Sequence, residues 1–132
     1  MKLAIFACCA LGIALSASAQ AAEISTHVLD LKSGIGGEGV PVRLEKKSQD
    51  NSWVEVATEQ TGENGRVKSF GDSSQFNEGI YKLVFDMTAY KAGEAKPFFP
   101  EINLVFEITD AAAHYHVPVV VSPYGYSTYR GN

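Results

Sequence analysis

Apolar and polar residues alternate with a period of two along most of the chain, and this period predicts β-strands. The alternation is clearest in Val40–Lys47 and Trp53–Glu59, which are separated by a short polar turn and are predicted to form a hairpin. The other predicted strands are Ile24–Asp30, Arg66–Phe70, Gly79–Met87, Ile102–Thr109, His114–Val121 and Tyr124–Arg130. Thr88–Ala95 is the only predicted helix, and it is short. We therefore predict an all-β sandwich of seven or eight strands with one short helix.

The predicted strand His114–Val121 has two apolar faces. Side chains alternate across a strand, so one face is formed by Tyr115, Val117, Val119 and Val121. The opposite face is formed by His114, His116, Pro118 and Val120. A strand that faces water on one side normally carries polar residues there. We therefore expect this second face to be covered, and we favour a subunit interface over a covering loop.

The first residues have the composition of a secretory signal peptide. Met1-Lys2 is a short basic start, Leu3–Leu15 is an apolar run, and a small-residue A-x-A pattern ends at Ala19. The run is shorter than the roughly 20 residues that a spanning helix needs. We expect residues 1–19 to be removed, with cleavage as late as residue 22 as an alternative. Residues 20–132 are then expected to form one exported, periplasmic domain.

Composition narrows the classes of function. The chain has 132 residues, of which 45% are apolar, and a formal net charge of −4; the isoelectric point is near 5.3. An acidic chain of this kind is a poor candidate for binding nucleic acid, and no Walker or GxGxxG pattern supports a nucleotide cofactor. Both cysteines, Cys8 and Cys9, lie in the predicted signal peptide. We therefore expect no disulfide, cysteine nucleophile or cysteine-ligated metal in the domain.

Histidines are the first candidates for chemistry. His114 and His116 share a face because they are two residues apart on a predicted strand, and His27 is the third histidine of the chain. Three such residues could bind zinc or act as acid and base groups, since imidazole titrates near neutral pH. They could also be structural or surface histidines. The spacing alone leaves these three interpretations open.

The C-terminal segment Tyr124–Asn132 is unusually aromatic, with three tyrosines, two glycines and one arginine. One interpretation is an edge strand with aromatic cross-strand pairs. Another is a ligand site, in which Arg130 presents its fork of donors to a carbonyl-rich ligand and the tyrosine rings stack on a flat heterocycle. Arg66 follows the Asn64-Gly65 turn, where most arginines are solvated.

Several segments together carry a family resemblance. They are Ser25–Asp30 (STHVLD), Gly65-Arg66, Phe98–Ile102 (FFPEI), His114–Pro118 (HYHVP) and Tyr124–Asn132 (YGYSTYRGN). Over essentially the whole predicted mature chain, they resemble the 5-hydroxyisourate hydrolase family, the transthyretin-like proteins of urate degradation. That family ends in Tyr-Arg-Gly-Ser, which separates it from the hormone carrier transthyretin. In this sequence Asn132 stands at the position of the serine.

The resemblance implies a transthyretin-like (prealbumin-type) sandwich of two four-stranded sheets that assembles as a homotetramer, with active sites in the channel between dimers. It also implies the reaction, in which water opens the ring of 5-hydroxyisourate to give 2-oxo-4-hydroxy-4-carboxy-5-ureidoimidazoline. No metal or organic cofactor is required in this interpretation. The implied partners are the small-molecule substrate and further copies of the chain.

The same resemblance assigns site residues by position. It implies that His116 and His27 activate water and transfer protons, and that Arg66 orients the substrate and stabilises its oxyanion. The residues implied in substrate binding are His27, Arg66, Tyr129, Arg130 and Asn132. His114 matches the first histidine of the family's pair and is expected to lie behind the site.

Two other classes of function compete with this interpretation. One is a transthyretin-like binding protein that holds a small aromatic ligand in its channel without turnover. The other is a zinc hydrolase that uses His27, His114 and His116. The first would need neither His116 nor Arg66, and the second would lose activity with a chelator.

Overall fold

The computed structural model describes residues 21–72, 74, 76–90 and 96–132. The predicted signal peptide, residues 1–19, lies outside the described residues. The strands of the described part are β1 (Glu23–Asp30), β2 (Ile35–Gly36), β3 (Pro41–Lys47), β4 (Trp53–Gln60), β5 (Arg66–Val67), β6 (Gly79–Asp86), β7 (Glu101–Ile108), β8 (His114–His116), β9 (Val119–Ser122) and β10 (Gly125–Thr128). No helix in this part of the chain is long and apolar enough to cross a membrane.

The strands form two sheets, which confirms the predicted all-β sandwich. One sheet has the order β4-β3-β6-β7 and is antiparallel throughout. The other is arranged around β1, which pairs antiparallel with β2 and β5 and parallel with β8 and β9. Strand β10 lies antiparallel to β9 at the edge. The second sheet has six strands rather than the four expected, because it includes two-residue strands and one interrupted strand.

The interruption falls within the predicted strand His114–Val121, which forms β8 and β9. Pro118 has no N–H to donate to a ladder, and the carbonyl of Val117 accepts a hydrogen bond of 2.6 Å from the Thr26 hydroxyl. The alternation nevertheless continues through the break. The side chains predicted to fill the core are all buried, namely Tyr115, Val117, Val119 and Val121.

The core lies between the sheets and is built from the apolar members of each alternation. In β3, Val42 and Leu44 are fully buried, as their pattern predicts. In β1, Ile24 and Val28 are buried in the same core. The alternate residues of β1, Ser25 and His27, therefore point to the opposite side of the sheet, and this outward face carries the candidate site.

The predicted helix is not observed where the structure describes it. Thr88 and Ala89 form a bend, after which the Tyr90 N–H donates a hydrogen bond of 3.2 Å to the carbonyl of Met87. The Tyr90 hydroxyl donates a bond of 2.8 Å to Asp30, so a tertiary contact fixes this segment. The remainder of the prediction, residues 91–95, lies outside the described residues.

Candidate active site

Three strands place the predicted catalytic side chains on one outward face. The parallel pairing of β1 with β8 sets Ser25 opposite His116, and the antiparallel pairing of β1 with β5 sets His27 opposite Arg66. Residues opposite each other in a ladder point to the same side of the sheet. Because Ser25 and His27 are two residues apart on β1, these four side chains share the outward face.

A glycine turn brings Arg66 to this position. Gly65 has a φ of 77°, in the left-handed region that favours glycine. A Cβ at Gly65 would lie 2.4 Å from the carbonyl oxygen of Val28, so the turn can approach β1 only without a side chain. The predicted strand Arg66–Phe70 is shorter in the structure, covering Arg66–Val67, and its first residue lies opposite His27.

Ser25 connects the two histidines of β8. Its Oγ lies 2.8 Å from Nε2 of His114 and 2.8 Å from Nδ1 of His116. The serine is 7% exposed, whereas His114 is exposed and His116 is half-buried. The prediction that both histidines share one face is therefore confirmed. Sequence reasoning gave Ser25 no role, although its spacing of two from His27 on a predicted strand was a usable signal.

The surroundings of both predicted catalytic histidines favour the neutral imidazole. Burial lowers the pKa of His27 and the positive charge of Arg66 lowers it further, against a raising effect of the Asn64 carbonyl, which lies 3.1 Å from Nε2. Burial also lowers the pKa of His116, as do the charges of Arg66, His114 and His27, against a raising effect of the Ser25 backbone. Neutral imidazole has a free lone pair, so both residues can accept a proton at neutral pH.

The C-terminal segment closes over His116. The N–H of Gly131 donates a hydrogen bond of 2.8 Å to the carbonyl of His116. A Cβ at Gly131 would lie only 2.5 Å from Cδ2 of the His116 ring, so glycine lets the tail approach the imidazole. This contact places Tyr129 and Asn132 beside the histidine.

An open cleft of about 610 Å³ lies on this face, beside the side chains described above. It is lined by Glu23, Ser25, Thr26, Arg66, Val67, Lys68, His114, His116, Tyr129, Gly131 and Asn132. The sequence predictions for His116, Arg66, Tyr129 and Asn132 therefore converge on one place. His27 does not line this cleft in the single chain and lies next to it, opposite Arg66.

Arg130 takes a different direction from its neighbours. Its guanidinium carbon lies 5.1 Å from the centre of the Tyr115 ring, a cation–π geometry. It lines a groove between β7 and β10 that also borders His116 and Tyr129, and it is not among the residues that line the cleft. The structure thus does not bring Arg130 into the cleft of the single chain.

The three histidines do not form a metal site in this geometry. Among the described residues, which include His27, His114 and His116, no three histidine, cysteine, aspartate or glutamate side chains are grouped to hold a metal ion. Two of the imidazole nitrogens are occupied by Ser25. The donor set therefore fits hydrogen bonding and proton transfer better than zinc coordination.

Comparison with known proteins places this arrangement in a family. Residues 24–131 match the model of the HIUase/Transthyretin family. The chain belongs to this family. Its relatives include the 5-hydroxyisourate hydrolase of Salmonella typhi, which is 38% identical over 120 residues, or 90% of this chain and 88% of that protein. The predicted family resemblance is confirmed.

Solved structures of the HIUase/Transthyretin family share the fold. The 5-hydroxyisourate hydrolase of Klebsiella pneumoniae is 32% identical, with a TM-score of 0.69 over 83% of this chain and 99% of that one. Transthyretin from Sparus aurata is 26% identical, with a TM-score of 0.75 over 82% of this chain and 95% of that one. The predicted transthyretin-like sandwich is confirmed, and the fold alone does not separate a hydrolase from a carrier.

Proposed function

We propose that this protein is a 5-hydroxyisourate hydrolase of urate degradation. The observation that carries the proposal is the outward face of β1, β5 and β8, where two histidines with lowered pKa flank an arginine beside an open cleft. A carrier needs no neutral base next to a fixed cation, whereas hydrolysis of a cyclic amide needs both. The relatives named 5-hydroxyisourate hydrolase support the same substrate.

The reaction begins with the activation of water. Ser25 occupies Nδ1 of His116, so Nε2 is the ring nitrogen free to take a proton from water. The hydroxide then attacks the ring carbonyl carbon, forming a C–O bond and an oxyanion. A base in this role typically contributes about 10²–10⁴-fold to the rate.

Charge stabilisation and proton return complete the step. The guanidinium of Arg66 is permanently charged and presents planar donors that can stabilise the oxyanion. When the oxyanion collapses, the ring C–N bond breaks and the protonated imidazole returns its proton to the leaving nitrogen. The product is 2-oxo-4-hydroxy-4-carboxy-5-ureidoimidazoline. His27, beside Arg66, is the second group able to move a proton, and we assign no cofactor to the reaction.

The tail is proposed to hold the planar substrate. Tyr129 lines the cleft and is 59% exposed, so its ring is available to stack on a flat heterocycle. Asn132 also lines the cleft and offers an amide donor and acceptor. A contact of Arg130 with substrate remains a prediction that requires a different arrangement of its side chain or a neighbouring subunit.

The test is an assay on freshly generated 5-hydroxyisourate, following the loss of its ultraviolet absorbance. We expect a saturable rate above the spontaneous decay, unchanged by EDTA. Binding of the substrate without acceleration would favour the carrier interpretation. Activity that EDTA removes and zinc restores would favour the metal interpretation.

We also propose that the protein is a homotetramer. Val120 and Leu29 lie opposite each other in the ladder of β9 and β1, face away from the core, and are only half-buried in the single chain. Covering this apolar outward face would remove it from water, which favours association. Light scattering at micromolar concentration should give four times the mass of one chain, and a monomer would overturn the proposal.

Export to the periplasm is proposed from the first 19 residues alone. Intact mass measurement of protein from a periplasmic extract should give a chain that begins between residues 20 and 23. A full-length chain in the cytoplasmic fraction would contradict export.

A further inference from the structure

Ser25 is the most connected polar side chain of the cleft. It is almost fully buried, and its Oγ lies at 2.8 Å from a nitrogen of each histidine on β8. The parallel register of β1 and β8 fixes this position, because Ser25 lies directly opposite His116. The hydroxyl is therefore held between two imidazole rings whose centres are 6.4 Å apart.

The number of available protons limits the possible hydrogen-bond arrangements of Ser25, His114 and His116. A serine hydroxyl has one proton to donate, and a neutral imidazole has one N–H and one bare nitrogen. If Ser25 donates to His114, its oxygen accepts the N–H at Nδ1 of His116. If it donates to His116 instead, the proton of His116 must sit on Nε2, and that nitrogen can no longer act as a base.

The surroundings of the two histidines favour the first arrangement. His114 is exposed, so water can accept a hydrogen bond from its Nδ1–H while its Nε2 accepts one from Ser25. His116 lines the cleft, and its Nε2 makes no hydrogen bond to the described residues. A free lone pair there is what proton abstraction from water requires.

We propose that Ser25 is a positioning residue that couples His114 to His116 and keeps the proton of neutral His116 on Nδ1. The Nε2 lone pair then faces the cleft before substrate arrives. When Nε2 takes a proton from water, the Nδ1–H bond to Ser25 becomes charge-assisted and strengthens without any atom moving far. The proposal rests on the proposed function only in naming His116 as the base; the tautomer it assigns can be measured without substrate.

The first test is spectroscopic and uses the wild-type protein. Long-range ¹H–¹⁵N NMR distinguishes the two neutral tautomers of histidine. At neutral pH we expect His116 to carry its proton on Nδ1 in the wild type. In Ser25→Ala and in His114→Ala we expect a mixture of tautomers, because the chain of hydrogen bonds is cut. A wild-type His116 protonated on Nε2 would overturn the proposal.

The second test is kinetic and distinguishes the contribution of the Ser25 hydroxyl from that of the size of its side chain. We expect Ser25→Ala to lower kcat about tenfold, the effect of one hydrogen bond, with KM nearly unchanged. Ser25→Thr keeps a hydroxyl and should restore most of kcat. Ser52→Ala, in the exposed turn between β3 and β4, is the matched control and should behave as wild type.

Two kinetic outcomes would contradict the role of Ser25. One is wild-type kcat in Ser25→Ala, and the other is a Ser25→Thr protein as impaired as Ser25→Ala. A wild-type protein that does not hydrolyse 5-hydroxyisourate at all would instead refute the proposed function. In that case the NMR comparison still decides whether Ser25 sets the tautomer of His116.

Discussion

The two sheets of the sandwich present outward faces with the same alternating pattern and opposite chemistry. On the four-stranded sheet, Glu45 lies 2.7 Å from Arg43 and 2.6 Å from Lys82, and the Lys82 ammonium lies 4.4 Å from the centre of the Trp53 ring. Each of these three charged groups meets an opposite charge, and Lys82 also meets an aromatic face. On the β1 sheet, Arg66 has neutral histidines beside it and makes no salt bridge within the described residues.

The difference shows that the neighbours of a charged or titratable side chain determine whether a polar face is structural or reactive. Burial raises the pKa of Glu45, but the hydrogen bonds from Lys82 and Arg43 outweigh it and leave that pKa below its usual value. This carboxylate stays charged and paired. For His116, burial and the nearby charge of Arg66 act in the same direction, lower its pKa and favour the neutral imidazole. A group held neutral beside an unpaired cation is free to react.

The largest expected effect is that of Arg66→Ala. Removing the cation that faces the developing oxyanion should lower kcat by about 10²–10³-fold. It should also raise the pKa of His27 and His116, because Arg66 lowers both, so the acid limb of the pH–rate profile should move to higher pH. Arg66→Lys, which keeps the charge without the planar fork, should recover part of the rate and most of the pH profile. An unshifted acid limb in Arg66→Ala would contradict this account.

Gly131→Ala tests the close approach of the tail to the site. The added Cβ would lie 2.5 Å from the His116 ring, so either the ring or the tail must move. We expect kcat to fall at least about tenfold, since small misplacements of a base are costly, with the melting temperature little changed. Gly125→Ala is the control, because its Cβ would meet nothing closer than Ser122 at 3.7 Å. Equal activity of the two variants would show that the tail does not position His116.

Asn132→Ser restores the residue that the family resemblance expects. We expect the wild type to be active and the variant to be no slower, with a change of up to roughly tenfold for one hydrogen bond. Steady-state kinetics of both proteins on 5-hydroxyisourate measure this. An inactive wild type that Asn132→Ser rescues would mean that the asparagine has abolished catalysis, and the carrier interpretation would then lead.

Glu45→Gln should leave activity unchanged and reduce stability. Leaving the partly buried Lys82 without its carboxylate should cost about 1–3 kcal/mol of unfolding free energy at pH 7. Because the folded pKa of Glu45 lies below its ordinary value of 4.5, the contribution is full above that pH and is lost as pH falls through the folded pKa. Denaturant titrations at pH 7 and near pH 3 should show the difference from wild type shrinking in acid. A constant difference would contradict the ion-pair explanation.

The sequence was sufficient to predict strands and their buried sides where the alternation of apolar and polar residues is itself the signal. Val42 and Leu44 alternate with Arg43 and Glu45, and this pattern alone predicts which side of β3 is buried. It does not reveal that Arg43 and Glu45 pair with each other and with Lys82, because that depends on the register between strands. The two outward faces therefore look equally polar in the sequence.

Only part of the site could be predicted, because contacts between strands depend on their register and not on a local sequence pattern. His116 and Arg66 were identified through a resemblance, and the pairing of Ser25 with His114 and His116 joins residues 89 and 91 positions apart. Such a contact follows from the parallel register of β1 and β8, which no local pattern encodes. The direction of the Arg130 side chain, away from the cleft, likewise depends on a tertiary contact, in this case with the Tyr115 ring.

The central claim is that the outward face of β1, β5 and β8 hydrolyses 5-hydroxyisourate through His116. The most direct measurement is the turnover of freshly generated substrate by wild type and His116→Ala at equal concentrations of folded protein. We predict that the variant keeps the fold and its melting temperature within a few degrees, since the ring is half-buried on an outward face, and loses at least about 100-fold in kcat. A His116→Ala protein that turns over substrate as fast as wild type would contradict the claim.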